Sequence, residues 1–259
     1  MSEAPWLSPD GGLRCFNCET KAAHPGRDKD PDGVNPHLRE AHRLLWSKAP
    51  RDGQVIGLSA SRWSDYLRVT STDDGWTLGS DNFATIHFNA LRGFADALDG
   101  AVDGHLCQLC TIGGYIVFPN QLAQQRPTIT NRTARRWSIN QDRGMDGRIS
   151  DRFDLTLEAI RLFYEGIVHR DENPIGDVLE AYRWWFDLFG RGADGFLAYA
   201  DFFFLTPMLD DSGRVKPFGS LALAFDHALP RDDEAAYRAY IGDQLAFVGR
   251  RNEILQRSR

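Results

Sequence analysis

The chain has 259 residues, 42% of them apolar and 25% charged, which excludes disorder over most of its length. Its 30 basic and 36 acidic residues give a formal net charge of −6, which argues against a protein that coats nucleic acid by overall charge and leaves room only for a local basic patch. Aromatic residues make up 12%, enough to furnish a large, well-packed core.

Taken from the N-terminus, the first residues have neither the basic n-region nor the apolar h-region of a secretory signal. The longest apolar stretch, Phe196 to Leu209, is interrupted by Asp201 and Pro207 and is too short to cross a bilayer. The expectation is a cytoplasmic protein with no membrane partner. Residues 1–35 are rich in Pro, Gly and Asp and lack periodicity, so they read as an extended arm ahead of a single domain at 36–259. All four cysteines fall in two pairs of equal spacing, Cys15-Phe16-Asn17-Cys18 and Cys107-Gln108-Leu109-Cys110. A two-residue gap lets both sulfurs of a pair reach one ion, so the four predict a structural zinc site that clips the arm to the domain. His24 and His105 lie near enough in sequence to replace a thiolate. The competing readings are ordinary thiols, one of them a small buried hydrophobe, and, more weakly, a redox pair.

Asn35-Pro36 supplies a cap and a first-turn proline for a helix through Trp46, with Leu38, Ala41, Leu45 and Trp46 as its buried stripe. Short strands follow at Val55–Leu58, Tyr66–Thr70 and Trp76–Leu78. Ser80-Asp81 is expected to cap a helix through Phe83 to Leu98, and Tyr115–Phe118 to form a buried central strand between Gly113-Gly114 and Pro119. From Asp151 onward the pattern is helical, near 151–168, 175–190, 194–206 and 231–256. With no βαβ alternation, the fold class is α+β: a small antiparallel-rich sheet packed against a helical majority, with a zinc-clipped N-terminal arm.

Several stretches carry a family resemblance: Lys29-Asp30-Pro31-Asp32 with His42-Arg43-Leu44-Leu45-Trp46-Ser47-Lys48; Thr111 to Pro119; Ile139-Asn140 and Arg143-Gly144 with Asp151 to Glu158; Tyr199 to Leu205; and Arg251-Asn252. In this order the chain resembles an uncharacterised bacterial family, domain-of-unknown-function family 6994, from about residue 29 to the end. The resemblance implies a single domain and no known activity. Ala41 and Ala49 stand where the family pattern has an aromatic residue and a proline. The segment from Gln121 to Trp137 is longer and more basic, and the cysteine pairs fall outside the pattern.

The densest polar segment runs from Asn140 to Glu158. On a helix starting near Asp151, Asp151, Asp154 and Glu158 share a face, where they can hold a divalent cation such as magnesium or supply a base. An acidic first helical turn, favoured by the helix dipole, is the plainer explanation. Arg143 and Arg152 are candidates for an anion clamp, or for ordinary ion pairs. His42 and Trp46 share a face of the first helix, which ends near Lys48. Asp201 lies within an aromatic helix, where a carboxylate needs a partner. Arg126, Arg132, Arg135 and Arg136, followed by Trp137, form a basic patch that can meet nucleic acid or a protein partner, or else simply face solvent.

Phosphate-binding loops, the dinucleotide glycine fingerprint, the nucleophile elbow and the zinc-deaminase signature are all missing. Two readings stay open. One is an enzyme acting on a phosphate-bearing ligand, a nucleotide or nucleic acid, with Glu158, Asp154 and Asp201 catalytic and Asn140, Arg143, Asp151, Arg152, His42, Trp46 and Lys48 binding. The other is a non-catalytic, zinc-stabilised binding or regulatory protein.

Overall fold

The computed structural model describes residues 4–27, 29, 31–51, 55–60, 67–69, 77–82, 107–120, 152–225 and 233–257. The chain enters as a turn closed by an antiparallel bridge between Leu7 and Leu13, then forms helix α1, Phe16–Ala23. A second short helix, α2 (Pro31–Val34), leads into α3 (Pro36–Trp46). The arm expected to be extended is therefore partly helical. Only Phe16 and Thr20 of α1 are buried, a stripe too narrow to register as a periodic pattern. Trp6 and Phe16 nonetheless belong to the core, and the Phe16 ring meets Tyr115 edge-on at 5.7 Å.

Helix α3 starts where the sequence indicates. The Asn35 side-chain oxygen accepts a hydrogen bond from Leu38 N–H at 3.0 Å, and Pro36 occupies a position whose N–H has no intrahelical acceptor. Leu38, Ala41, Leu45 and Trp46 face the core as expected, joined by His42.

Four strands, β1 (Leu58–Ala60), β2 (Leu67–Val69), β3 (Thr77–Asn82) and β4 (Tyr115–Asn120), form an antiparallel sheet in that order. Two expectations change here. Ser80 and Asp81 cap no helix; both lie in β3, opposite Val117 and Ile116 of β4. Ladder pairing over six residues outweighs the local capping preference of Ser and Asp. The helix expected at 83–98 lies outside the described residues. Strand β4, expected to be central, takes the outer position in the described order, yet Tyr115 to Phe118 are buried on both faces. The long helix α8 (Glu234–Arg257) packs on the turn that leads into β4, and its Arg251 Nη1 donates to the carbonyls of Gly113 at 2.9 Å and Tyr115 at 2.6 Å. A strand buried on both faces carries a continuous apolar run, the same signature as a central strand. The turn into β4 needs its two glycines. A Cβ at Gly114 would overlap the Leu109 carbonyl, and one at Gly113 would lie 2.6 Å from the Val248 carbonyl oxygen of α8.

The helical layer comprises α4 (Phe153–Tyr164), α5 (Gly176–Ala181), α6 (Arg183–Phe186), α7 (Gly192–Phe202) and α8. The single helix expected at 175–190 breaks at Tyr182, which is non-helical (φ −106°, ψ 18°) and fully buried. Helix α4 packs on α5 and α7. The shared core is aromatic: the Phe203 ring lies 4.9 to 6.1 Å from those of Trp46, Trp185, Phe189, Tyr199 and Phe202. A small antiparallel sheet against a helical majority is the α+β arrangement expected. Among the described residues no helix is long and apolar enough to cross a membrane.

Candidate metal centre and its polar neighbours

Cys15 precedes the first residue of α1 and Cys18 lies in its first turn, so the helix holds both thiols on one side. Cys107 begins a single helical turn whose last member, Cys110, donates its N–H to the Cys107 carbonyl at 3.2 Å. The two segments are joined by the backbone, since Phe16 N–H donates to Cys110 O at 3.1 Å. The sulfurs of Cys15 and Cys18 are 2.9 Å apart, as are those of Cys18 and Cys107, and all three lie within 4.8 Å of one another. None of the four cysteines is in a disulfide. Sulfurs on one tetrahedral ion stand about 3.8 Å apart, so the triad needs only a slight spreading to hold one. Burial, followed by the two neighbouring sulfurs, pushes the Cys15 thiol upward from its ordinary value, so a cation is the natural agent for ionising it. Three of the four expected ligands therefore converge. Cys110 is buried beneath the turn and stands outside this triad. His105 lies outside the described residues, and His24 closes α1 without joining the cluster.

Of the residues expected to form a phosphate cleft, only part lies within the described residues. Asn140, Arg143 and Asp151 lie outside the described residues, as does the Arg126–Arg136 patch. Arg152 and Asp154 are wholly buried and pair through two bonds, Nε to Oδ1 at 3.0 Å and Nη2 to Oδ2 at 2.6 Å. Asp154 also accepts from the N–H groups of Leu155 and Phe218, both at 3.1 Å, and Arg152 donates to Ala222 O at 3.2 Å. The pair thus fastens the start of α4 to the 218–222 segment and faces no solvent. Glu158 is held by Arg161 through two bonds of 2.8 and 2.7 Å, and Arg161 also meets Glu165. Arg152 is thus engaged by Asp154 in the interior, and Glu158 by Arg161 on the outer side of α4. Among the described residues no three carboxylates converge as a cation site.

His42 is fully buried, and its protonation is set by its partners. The Trp46 indole N–H donates to Nδ1 at 2.9 Å, so Nε2 carries the proton and donates to Ser80 Oγ at 2.7 Å. Burial, reinforced by the charge of Arg251, pushes its pKa down to about 3. It is a neutral structural histidine with both nitrogens engaged. Asp201, expected among aromatic rings, is instead exposed, because Phe202, Tyr199 and Ala200 take the inward faces of α7. The Lys48 ammonium lies over the rings of Phe202 and Phe204, each at 4.7 Å, and of Trp46 at 5.7 Å. Burial pushes the Lys48 pKa down, and the nearby Asp201 charge opposes the shift.

Sequence reasoning gave no site role to Arg251, although its fully buried guanidinium organises this region. It donates to Phe203 O at 3.0 Å as well as to Gly113 and Tyr115, and it lies 5.9 Å from the Trp46 ring. No carboxylate among the described residues pairs with it, and burial pushes its pKa down to about 9. Next to it, the Asn252 side-chain oxygen accepts from Gly113 N–H at 2.8 Å while its amide donates to Thr111 Oγ1 at 2.8 Å. Only the Arg-Asn dipeptide near the chain end marked this node in the sequence.

The model of a family of unknown function, DUF6994, matches residues 15–255. The chain belongs to that family. The match reaches back to Cys15, further than the motifs beginning at Lys29, so the first cysteine pair and α1 lie within the matched span. No curated protein and no solved structure matches the chain.

Proposed function

We propose that this member of DUF6994 is a zinc-stabilised binding or regulatory protein of the cytoplasm rather than an enzyme acting on a phosphate-bearing ligand. The convergence of Cys15, Cys18 and Cys107, residues nearly ninety positions apart, carries the reading. Thiolate ligands favour zinc, and a reducing compartment keeps the thiols available to it. Cys110, three residues beyond Cys107, is the candidate fourth ligand. With four thiolates the ion keeps no open position, so its role is to fasten α1 to the turn before β4. The internal pairing of Arg152, Asp154 and Glu158 supports the non-catalytic reading, since groups consumed by one another offer nothing to a substrate. The arginine patch at 126–136 is the proposed contact for a protein or nucleic-acid partner.

Elemental analysis of protein purified without chelator tests the centre. One zinc per chain is expected, released by a chelator because Cys18 is exposed, with a fall in thermal stability as arm and domain uncouple. Cys18→Ser is expected to lower metal content and stability together. Metal-free protein with unchanged stability in that variant refutes the centre. Calorimetric titration with nucleotides, with and without magnesium, tests the second half: tight binding would favour the enzyme reading.

A further inference from the structure

We propose that Trp46, Phe202 and Phe204 form a binding cage for an organic cation, an alkylated ammonium group, and that Lys48 is an internal plug occupying it. Three rings surround one ammonium. Its nitrogen lies 4.7 Å from the centres of Phe202 and Phe204 and 5.7 Å from that of Trp46. The Trp46 ring stands 6.0 Å from Phe202 and 5.8 Å from Phe204, so the three form the walls of one box. Ring faces attract a cation through their quadrupoles, and several rings around one ammonium recognise alkylated nitrogen in preference to hydrated metal ions.

The backbone carries a second, independent sign. Phe204 has φ +55°, the left-handed region that a bulky residue rarely occupies. It takes the position after α7 that glycine usually fills: Phe204 N–H donates to Asp201 O at 3.0 Å and Leu205 N–H to Ala200 O at 2.7 Å. A strained phenylalanine where glycine would be relaxed marks a place where the ring itself is used. That ring forms the outer wall of the cage. Phe204 and Lys48 are half-buried, whereas Trp46 and Phe202 are buried, so the box has a closed floor and a side open to solvent. Exposed Asp201 stands beside the opening with the sign of charge that draws a cation in. Lys48 sits on a flexible four-carbon stem two residues past α3 and can withdraw without disturbing the helix.

The proposal names a ligand class for the binding reading above and rests on it. Choline is the probe, with its uncharged isostere 3,3-dimethyl-1-butanol as control, followed by calorimetry and ligand-observed NMR on the full chain with its metal content measured in parallel. Wild type is expected to bind choline weakly. Lys48→Ala vacates the box and is expected to bind about tenfold or more tightly, because a competitor lowers apparent affinity by the fraction of sites left open. Lys48→Met, which fills the box with an uncharged chain, is expected to remain weak. Phe204→Gly in the Lys48→Ala background relaxes the backbone while removing a wall, so the fold is expected to persist and binding to disappear. Failure of folded Lys48→Ala to bind choline overturns the proposal. So does equal binding of the uncharged isostere, or binding that survives Phe204→Gly. Any of these results with metal content intact leaves the zinc centre standing, whereas metal-free protein that still binds choline separates the two in the other direction.

Discussion

Replacing Asp154 by alanine tests whether the polar segment at the start of α4 is framework or site. The carboxylate accepts two bonds from Arg152 and one each from the N–H groups of Leu155 and Phe218. Both side chains of the ion pair are fully buried. Its removal leaves an uncompensated guanidinium and two backbone donors in a dry interior. Breaking such a pair from one side costs about 3–5 kcal/mol, although replacing both partners by apolar groups is often neutral. For a chain of 259 residues the unfolding entropy near the midpoint is about 0.5 kcal/mol per degree, so Tm is expected to fall by roughly 6–9 °C. Chemical and thermal unfolding, followed by far-ultraviolet circular dichroism, measures this directly. Arg152→Met combined with Asp154→Leu is expected to recover most of the loss, because it removes the charge along with its partner. A loss below about 1 kcal/mol for Asp154→Ala, or a double variant no more stable than the single, refutes the framework reasoning.

Two further expectations concern stability. His42 has its pKa pushed down to about 3 from an ordinary 6.5, so its contribution is fully present above pH 6.5 and is lost as pH falls toward 3, at about 1.4 kcal/mol per pH unit. Unfolding free energies of wild type and His42→Gln between pH 7 and 5 check this, and parallel slopes for the two would contradict it. Gly114→Ala is expected to destabilise the fold by several kcal/mol or prevent folding, because the added methyl group overlaps the Leu109 carbonyl and the turn into β4 must open; expression and melting of the variant give the answer.

Periodicity and caps were legible where the physics is local. Asn35-Pro36 marked the start of α3, and its 3.6-residue stripe marked the buried face. Three of the four helices expected in the second half appeared near the expected places for the same reason, the one at 175–190 being broken at Tyr182. Local preference failed where a partner distant in sequence decided the outcome. Ser80 and Asp81 carry the chemistry of a helix cap but are held by strand β4, more than thirty residues later. Strand β4 looked central because its residues 115–118 are buried on both faces, and an apolar run records burial but not position in the sheet. The cysteine spacing predicted the thiol cluster because metal-ligand geometry is nearly independent of fold. The carboxylates of α4 looked like a site because burial and pairing cannot be read from charge: Asp154 is neutralised by the Arg152 two residues before it. Asp201 was misplaced by composition, since an aromatic helix still has an outward face.

The stretches by which the chain resembles its family lie far apart in sequence, and several meet at Arg251. Trp46 comes from the first, Gly113 and Tyr115 from the second, and Phe203 from the Tyr199–Leu205 run, while Arg251 and Asn252 close the set. A buried arginine that donates to three carbonyls and has no carboxylate partner among the described residues is costly to desolvate. Its geometry explains why it is retained. Backbone carbonyls next to β4 and at a helix end are acceptors that cannot be removed by mutation, and an apolar residue at 251 would take a buried donor from each of the three. Arginine alone among side chains can reach carbonyls in several directions from one planar group while its face rests on an indole. The Trp46 ring that lies 5.9 Å from the Arg251 guanidinium also lies 5.7 Å from the Lys48 ammonium and is a wall of the proposed cage. In the proposed cage a bound cation would thus meet the ring that Arg251 also contacts.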